Sequence, residues 1–238
     1  MDESKSIFFR QIFDTNTSTF TYLIACNKTR KALLLDSVDK KIDLYKRLIK
    51  EFDLDLVYAL DTHVHADHIT AMNLLRETYH CKLVMGDQTP ATGLDKLLRN
   101  KETLNLGEIS LQTLHTPGHT RESCSFVLED NIFTGDTLFI RGTGRTDFQN
   151  GSSSDQYNSL FNNILKLPRH YHVYPAHDYN GMNISSIDEE IRFNPRLQVA
   201  NEQEYKNIMD HLNLPYPRYM DVAIPANLKC GVIEEPKT

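Results

Sequence analysis

The stretch Asp61-Thr62-His63-Val64-His65-Ala66-Asp67-His68 constrains this chain more than any other. It follows Asp55 to Leu60, an apolar run that reads as a buried strand. Open α/β sheets place their ligands at the carboxyl ends of such strands. His63 and His65, two apart in an extended turn, can aim at one point, and Asp67 and His68 can close on it from the other side. A single loop histidine is ordinarily solvated or hydrogen-bonded. Four ligand-type side chains crowded behind one apolar strand read as a metal site instead. Asp67 is also expected to cap the next helix, which carries Met72, Leu74, Leu75 and Tyr79.

Three more predicted strand ends carry ligand-type residues. Thr116-Pro117-Gly118-His119-Thr120 presents His119 behind a Pro-Gly turn. Thr134-Gly135-Asp136-Thr137 presents Asp136 beside a glycine that permits close approach. Tyr174-Pro175-Ala176-His177-Asp178-Tyr179 ends a strand with His177. The donors are imidazole and carboxylate, which suit zinc, iron or manganese, and thiolate ligation is excluded. Two histidines and one carboxylate with open positions form the triad of non-haem iron(II) oxygenases. Four scattered cysteines form no C-x-x-C pair, the usage of a reduced compartment.

Short apolar-aromatic runs predict strands at Ile7 to Ile12, Phe20 to Ala25 and Ala32 to Leu35, followed by an amphipathic helix over about 39–52. Lys82 to Gly86 reads as a strand, and 87–100 as a loop with a short helix. Thr103 to Leu106 pairs with Glu108 to Leu114, and Cys124 to Leu128 with Ile132 to Thr134. Leu160, Ile164 and Leu165 mark a helix before the strand His172 to Pro175. The acidic run Asp188-Glu189-Glu190 suits the first turn of a short helix. The last sixty residues read as helical and then Pro-rich, with Pro215, Pro217 and Pro225 predicting an irregular tail. One domain spanning 1–238 is expected, with the part from about residue 200 packed on it. Strands in two groups, each followed by helices, predict an α/β (α+β) chain of two mixed sheets flanked by helical layers.

A net charge of −6 argues against a nucleic-acid partner. No apolar run approaches the roughly 20 residues that cross a bilayer, and the first residues lack the apolar stretch of a secretory signal. A cytoplasmic location is expected.

H-x-H-x-D-H, T-P-G-H-T, G-D and a final His, in this order, resemble the metallo-β-lactamase superfamily. More narrowly, T-H-V-H-A-D-H-I-T, G-D-T-L-F-I-R-G-T-G-R-T-D-F-Q and Y-P-A-H-D-Y resemble its persulfide dioxygenase branch, over about residues 7 to 200. The resemblance implies a four-layer αβ/βα sandwich with the metal at one edge of the sheets. It implies oxidation of glutathione persulfide by O2 to sulfite and glutathione, and a homodimer. One Fe(II) per chain would be held by His63, His119 and Asp136. His65, Asp67, His68 and His177 would surround that iron or form a second, vacant position. Every ligand of a dinuclear site is present, so two Zn(II) and a glyoxalase II-like hydrolysis of glutathione thioesters form the alternative. The R-T-D-F-Q and A-H-D-Y stretches count against that alternative. Arg141 and Tyr179 are expected to meet the glutathione carboxylates, and Arg145 either to join them or to brace its own loop through Asp147. Thr143 stands where relatives often carry a cysteine.

Overall fold

A computed structural model of the chain describes residues 6–233. Twelve strands are present among them, in two sheets of six. The first sheet contains β1 (Ile7–Asp14), β2 (Thr19–Cys26), β3 (Lys31–Leu35), β4 (Asp55–Leu60), β5 (Lys82–Gly86) and β6 (Lys96–Leu98), in that order. β1 to β3 pair antiparallel, and β3 to β6 parallel. The second sheet contains β7 (Thr103–Leu106), β8 (Ile109–His115), β9 (Cys124–Leu128), β10 (Asn131–Gly135), β11 (His172–Pro175) and β12 (Ser185–Ser186). It is antiparallel except between β10 and β11. Both sheets are therefore mixed, as expected.

Side-chain alternation builds the layers. On β2 and β3, Leu23, Ala25, Ala32 and Leu34 face α1 (Ile42–Glu51) and α2 (Met72–Tyr79), packing against Tyr45, Ile49 and Leu75. The intervening Tyr22, Ile24, Leu33 and Leu35 meet Leu111, Phe126 and Phe133 of the other sheet. Burial on both faces explains why β2 reads as an unbroken apolar run rather than an alternating one. On the far side of the second sheet, Ile132 and Val173 pack under Leu160, Ile164, Ile187 and Tyr205. These come from α3 (Ser153–Asn158) with its continuation to Lys166, α4 (Ile187–Phe193) and α5 (Glu202–Asp210). The result is helix, sheet, sheet, helix.

Three expectations need correction. The helix after the first motif begins at Met72, and its cap position is Ala71 with no side-chain bond, so Asp67 does not cap it. Residues 87–100 hold the three-residue strand β6 where a short helix was predicted. The tail is irregular only in part, because α6 (Met220–Asn227) forms with Pro225 inside it. A proline there removes a backbone donor and costs helix stability. Burial of Met220, Ala223 and Ala226 offsets that cost.

Topology then delivers the motifs to one edge. β8 and β10 both run antiparallel to β9, and β11 runs parallel to β10, so the carboxyl ends of all three coincide. The bridge between Thr19 and His177, and the Cys124 amide donating to the Thr62 carbonyl at 2.9 Å, join that edge to the first sheet. The end of β4 arrives at the same seam.

Candidate metal centre

Donor atoms of His63, His119 and Asp136 lie within 4.8 Å of one another. Each reaches that spot for a local reason. Asp136 follows Gly135, which has φ +52°, and a Cβ there would stand 2.8 Å from the Thr62 hydroxyl. Only glycine permits both the left-handed turn and the contact. Gly118, at φ +145°, sits equally tight against the backbone of Gln156 and sets the turn that carries His119.

Hydrogen bonds fix the rings. Thr62 Oγ1 donates to Asp36 Oδ2 at 3.0 Å, so its oxygen is left to accept from His63 Nδ1 at 2.9 Å. His119 Nδ1 donates to the Arg145 carbonyl at 2.7 Å. Both rings thereby turn a bare Nε2 toward Asp136, and His119 Nε2 lies 3.4 Å from Asp136 Oδ2. Holding one ring nitrogen on a hydrogen-bond acceptor is the usual way a protein aims the other at a metal. Asp136 Oδ1 is buried without a hydrogen-bond partner. Burial, then the neighbouring rings of His65 and His119, holds the His63 imidazole far below its ordinary pKa. A neutral ring and an orphaned carboxylate oxygen are the donor states that a metal ion requires, so the residues fit one.

The other motif residues surround this group and are engaged with one another and with Asp36. His65 Nε2 is 3.1 Å from Asp36 Oδ1. Burial opposes the charged form of that ring, but Asp36, with Asp61 and Asp67, outweighs it and raises the pKa to about 9. Asp67 Oδ2 accepts from His68 Nδ1 at 2.8 Å and from the Thr19 hydroxyl at 3.0 Å. His177 donates from Nδ1 to the Ser18 carbonyl at 3.1 Å, and its Nε2 lies 3.6 Å from Asp67 and 3.5 Å from Asp136. Burial works against charge on His177 too, yet Asp136 and Asp67 raise it to about 10. His65, Asp67 and His68 form a second group whose donor atoms lie within 4.8 Å, with His65 Nδ1 and His68 Nε2 unpartnered.

A cavity of about 700 Å³ opens beside His119, Asp136 and His177. Its wall includes the three residues expected to meet substrate, but two already hold carboxylates. Arg141 pairs with Glu189 at 2.8 Å and with the fully buried Glu190. Arg145 forms a two-pronged pair with Asp147 at 2.6 and 2.7 Å and donates to the Pro215 carbonyl at 2.7 Å. Tyr179 is 70% exposed and stacks on His177. Two cations that the sequence reading missed also line the wall: Arg196, which donates to Thr143, and the exposed Arg218. Neither faces a carboxylate within ion-pair distance among the described residues. Asp36 was missed as well, although a polar residue ending the apolar run of β3 was a usable signal.

A model of the metallo-beta-lactamase superfamily matches residues 14–177. The human mitochondrial persulfide dioxygenase ETHE1 is 43% identical over 95% of this chain and 89% of its own length. The chain belongs to the persulfide dioxygenase family. The crystal structure of ETHE1 from Myxococcus xanthus agrees, with a TM-score of 0.93 and 45% identity, covering 94% of this chain and all of that one. A probable hydroxyacylglutathione hydrolase of Schizosaccharomyces pombe is more distant, 33% identical over 73% of this chain and 69% of its own. The four-layer sandwich is thus that of the superfamily, and similarity to persulfide dioxygenases extends over nearly the whole chain.

Proposed function

We propose that this chain oxidises glutathione persulfide with O2, using one iron held by His63, His119 and Asp136. The observation that carries this reading is the donor group of His63, His119 and Asp136, whose ligand atoms lie within 4.8 Å of one another. It is a two-histidine, one-carboxylate set, the donor type of non-haem iron(II) oxygenases. The family membership favours the same chemistry. In the balanced reaction, persulfide, O2 and water give glutathione, sulfite and two protons. The outer sulfur is oxidised, and O2 accepts every electron released, so no further reductant is needed.

Iron, when bound, would supply the redox chemistry and an anchor for sulfur and oxygen. The chain supplies geometry. The Arg145 carbonyl and the Thr62 hydroxyl keep the two rings aimed. Asp67, His68 and His177 brace one another on the other flank, close to Asp136. Arg196 and Arg218 are the cations we assign to the glutathione carboxylates, with Tyr179 at the mouth. Arg141 and Arg145 hold the wall that carries them. Four free buried cysteines fit a reducing compartment, and a cytoplasmic site and a homodimer complete the reading.

The test is metal analysis of anaerobically purified protein, paired with oxygen uptake. About one iron per chain is expected, with persulfide-dependent uptake lost in His63→Ala. Two zinc ions per chain, no uptake and turnover of a glutathione thioester would put the hydrolase first. Loss of a charge-assisted hydrogen bond costs about 1.5–3 kcal/mol. Arg218→Ala should therefore raise KM about ten-fold or more and change kcat less.

A further inference from the structure

The segment that carries His63 to His68 is almost without regular structure, running from the end of β4 at Leu60 to α2 at Met72. Its buried backbone groups need partners from elsewhere. One side chain supplies three of them. Asn227, at the end of α6 and only 3% exposed, donates from Nδ2 to the carbonyls of His65 and His68, both at 2.8 Å. Its Oδ1 accepts from the Thr70 amide at 2.9 Å. Both amide hydrogens and the amide oxygen are committed, a pattern that aspartate cannot match for want of donors.

Neighbouring contacts hold the end of α6 and the residues after it against α2, the loop before β6 and Thr70. The Asn73 amide donates to the Cys230 carbonyl at 3.0 Å, and the Thr92 amide to that of Leu228 at 2.8 Å. Gly231, at φ +88°, lies so close that a Cβ would stand 2.2 Å from the Thr70 carbonyl oxygen.

We propose that α6 clamps the metal-binding turn and that Asn227 is a positioning residue for the metal centre. The clamp rests on the assignment of His63 as a ligand. The bonded carbonyls of His65 and His68 bracket Asp67, and His63 lies two residues before the first of them. Fixing these carbonyls limits how far the peptide planes can rotate, and with them the His63 ring and the Asp67–His68 pair.

Co(II) is a suitable probe, because its visible absorption reports ligand geometry without turnover. In the full-length chain, Asn227→Ala is expected to weaken Co(II) binding about 10–100-fold, the usual scale for residues that orient ligands. Its Co(II) spectrum should differ from wild type. Met220→Ala, in the same helix but with no hydrogen bond to the turn, controls for a loosened tail and should keep wild-type affinity and spectrum. Should Asn227→Ala not fold, Asn227→Ser leaves a single hydroxyl and should show an intermediate loss. Wild-type affinity and spectrum in the Asn227 variants, or equal losses in Met220→Ala, would overturn the clamp. A wild-type chain that binds no Co(II) would overturn the ligand assignment itself, a distinct failure that takes the clamp with it.

Discussion

Thr62→Val tests how the His63 ring is aimed. Valine keeps the buried volume and removes the hydroxyl shared by Asp36 and His63. Two groups then lose a partner: Asp36 Oδ2 and His63 Nδ1. Each buried group left unsatisfied costs about 1–3 kcal/mol. Asp36 Oδ1 still accepts from the Thr62 amide at 2.7 Å and still meets His65, which keeps the loss toward the lower end. A total near 2 kcal/mol would lower the melting temperature by about 4–8 °C in a chain of this size. Metal affinity should fall separately, by about 10–100-fold, because the ring is no longer held with Nε2 toward Asp136. Thermal melts of the metal-free protein and competition with a chelator measure the two effects, and Thr62→Ser should restore both. A Thr62→Val protein with unchanged metal affinity would refute the idea that the Asp36–Thr62–His63 chain orients the ligand.

Glu190→Ala should destabilise the chain by about 2–4 kcal/mol, because it removes a fully buried acceptor of Ser185, Asn194 and the Arg141 amide and leaves the Arg141 guanidinium with Glu189 alone; a melting point within about 2 °C of wild type would refute this. Gly118→Ala forces a Cβ to within 2.2 Å of Gln156 at φ +145°, and a loss of about 2–4 kcal/mol with weaker metal binding is expected in melts and chelator competition. Burial raises the Asp14 pKa, but Thr17 and Lys41 outweigh it and hold the carboxyl below its usual range. Such a group adds stability above the unfolded value of about 3.9 and loses it as pH falls through the folded one. Asp14→Asn should thus be less stable than wild type at pH 7 and converge with it in acid, and denaturant titrations with a constant gap would count against the pairing.

What the sequence made legible was local. The donors at the ends of β4, β10 and β11, and on the turn after β8, each sit directly behind an apolar strand, so pattern and chemistry coincide within a few residues. The β8 hairpin and the uniformly buried β2 were visible for the same reason. Asp67 misled because an acidic residue just before a helix looks like a cap, whereas here it is held by His68 and Thr19 and the helix starts later. β6 has three residues, too few to show a period. α6 was hidden by Pro225, whose penalty only tertiary burial reveals as tolerable. Arg141 pointed to substrate on position alone; its partners Glu189 and Glu190 lie nearly fifty residues away, beyond the reach of any spacing argument. Asn227, 162 residues from His65, lies further still.

The split of the donors between two sheets also sets a timetable. His63 belongs to the first sheet, while His119 and Asp136 follow strands of the second. A ribosome adds about 5–20 residues per second, so the first motif leaves it several seconds before Asp136 follows and on the order of ten seconds before Asn227. On the proposed ligand assignment, the three-donor site is complete only once the second sheet has docked, so metal loading follows the folding of both sheets.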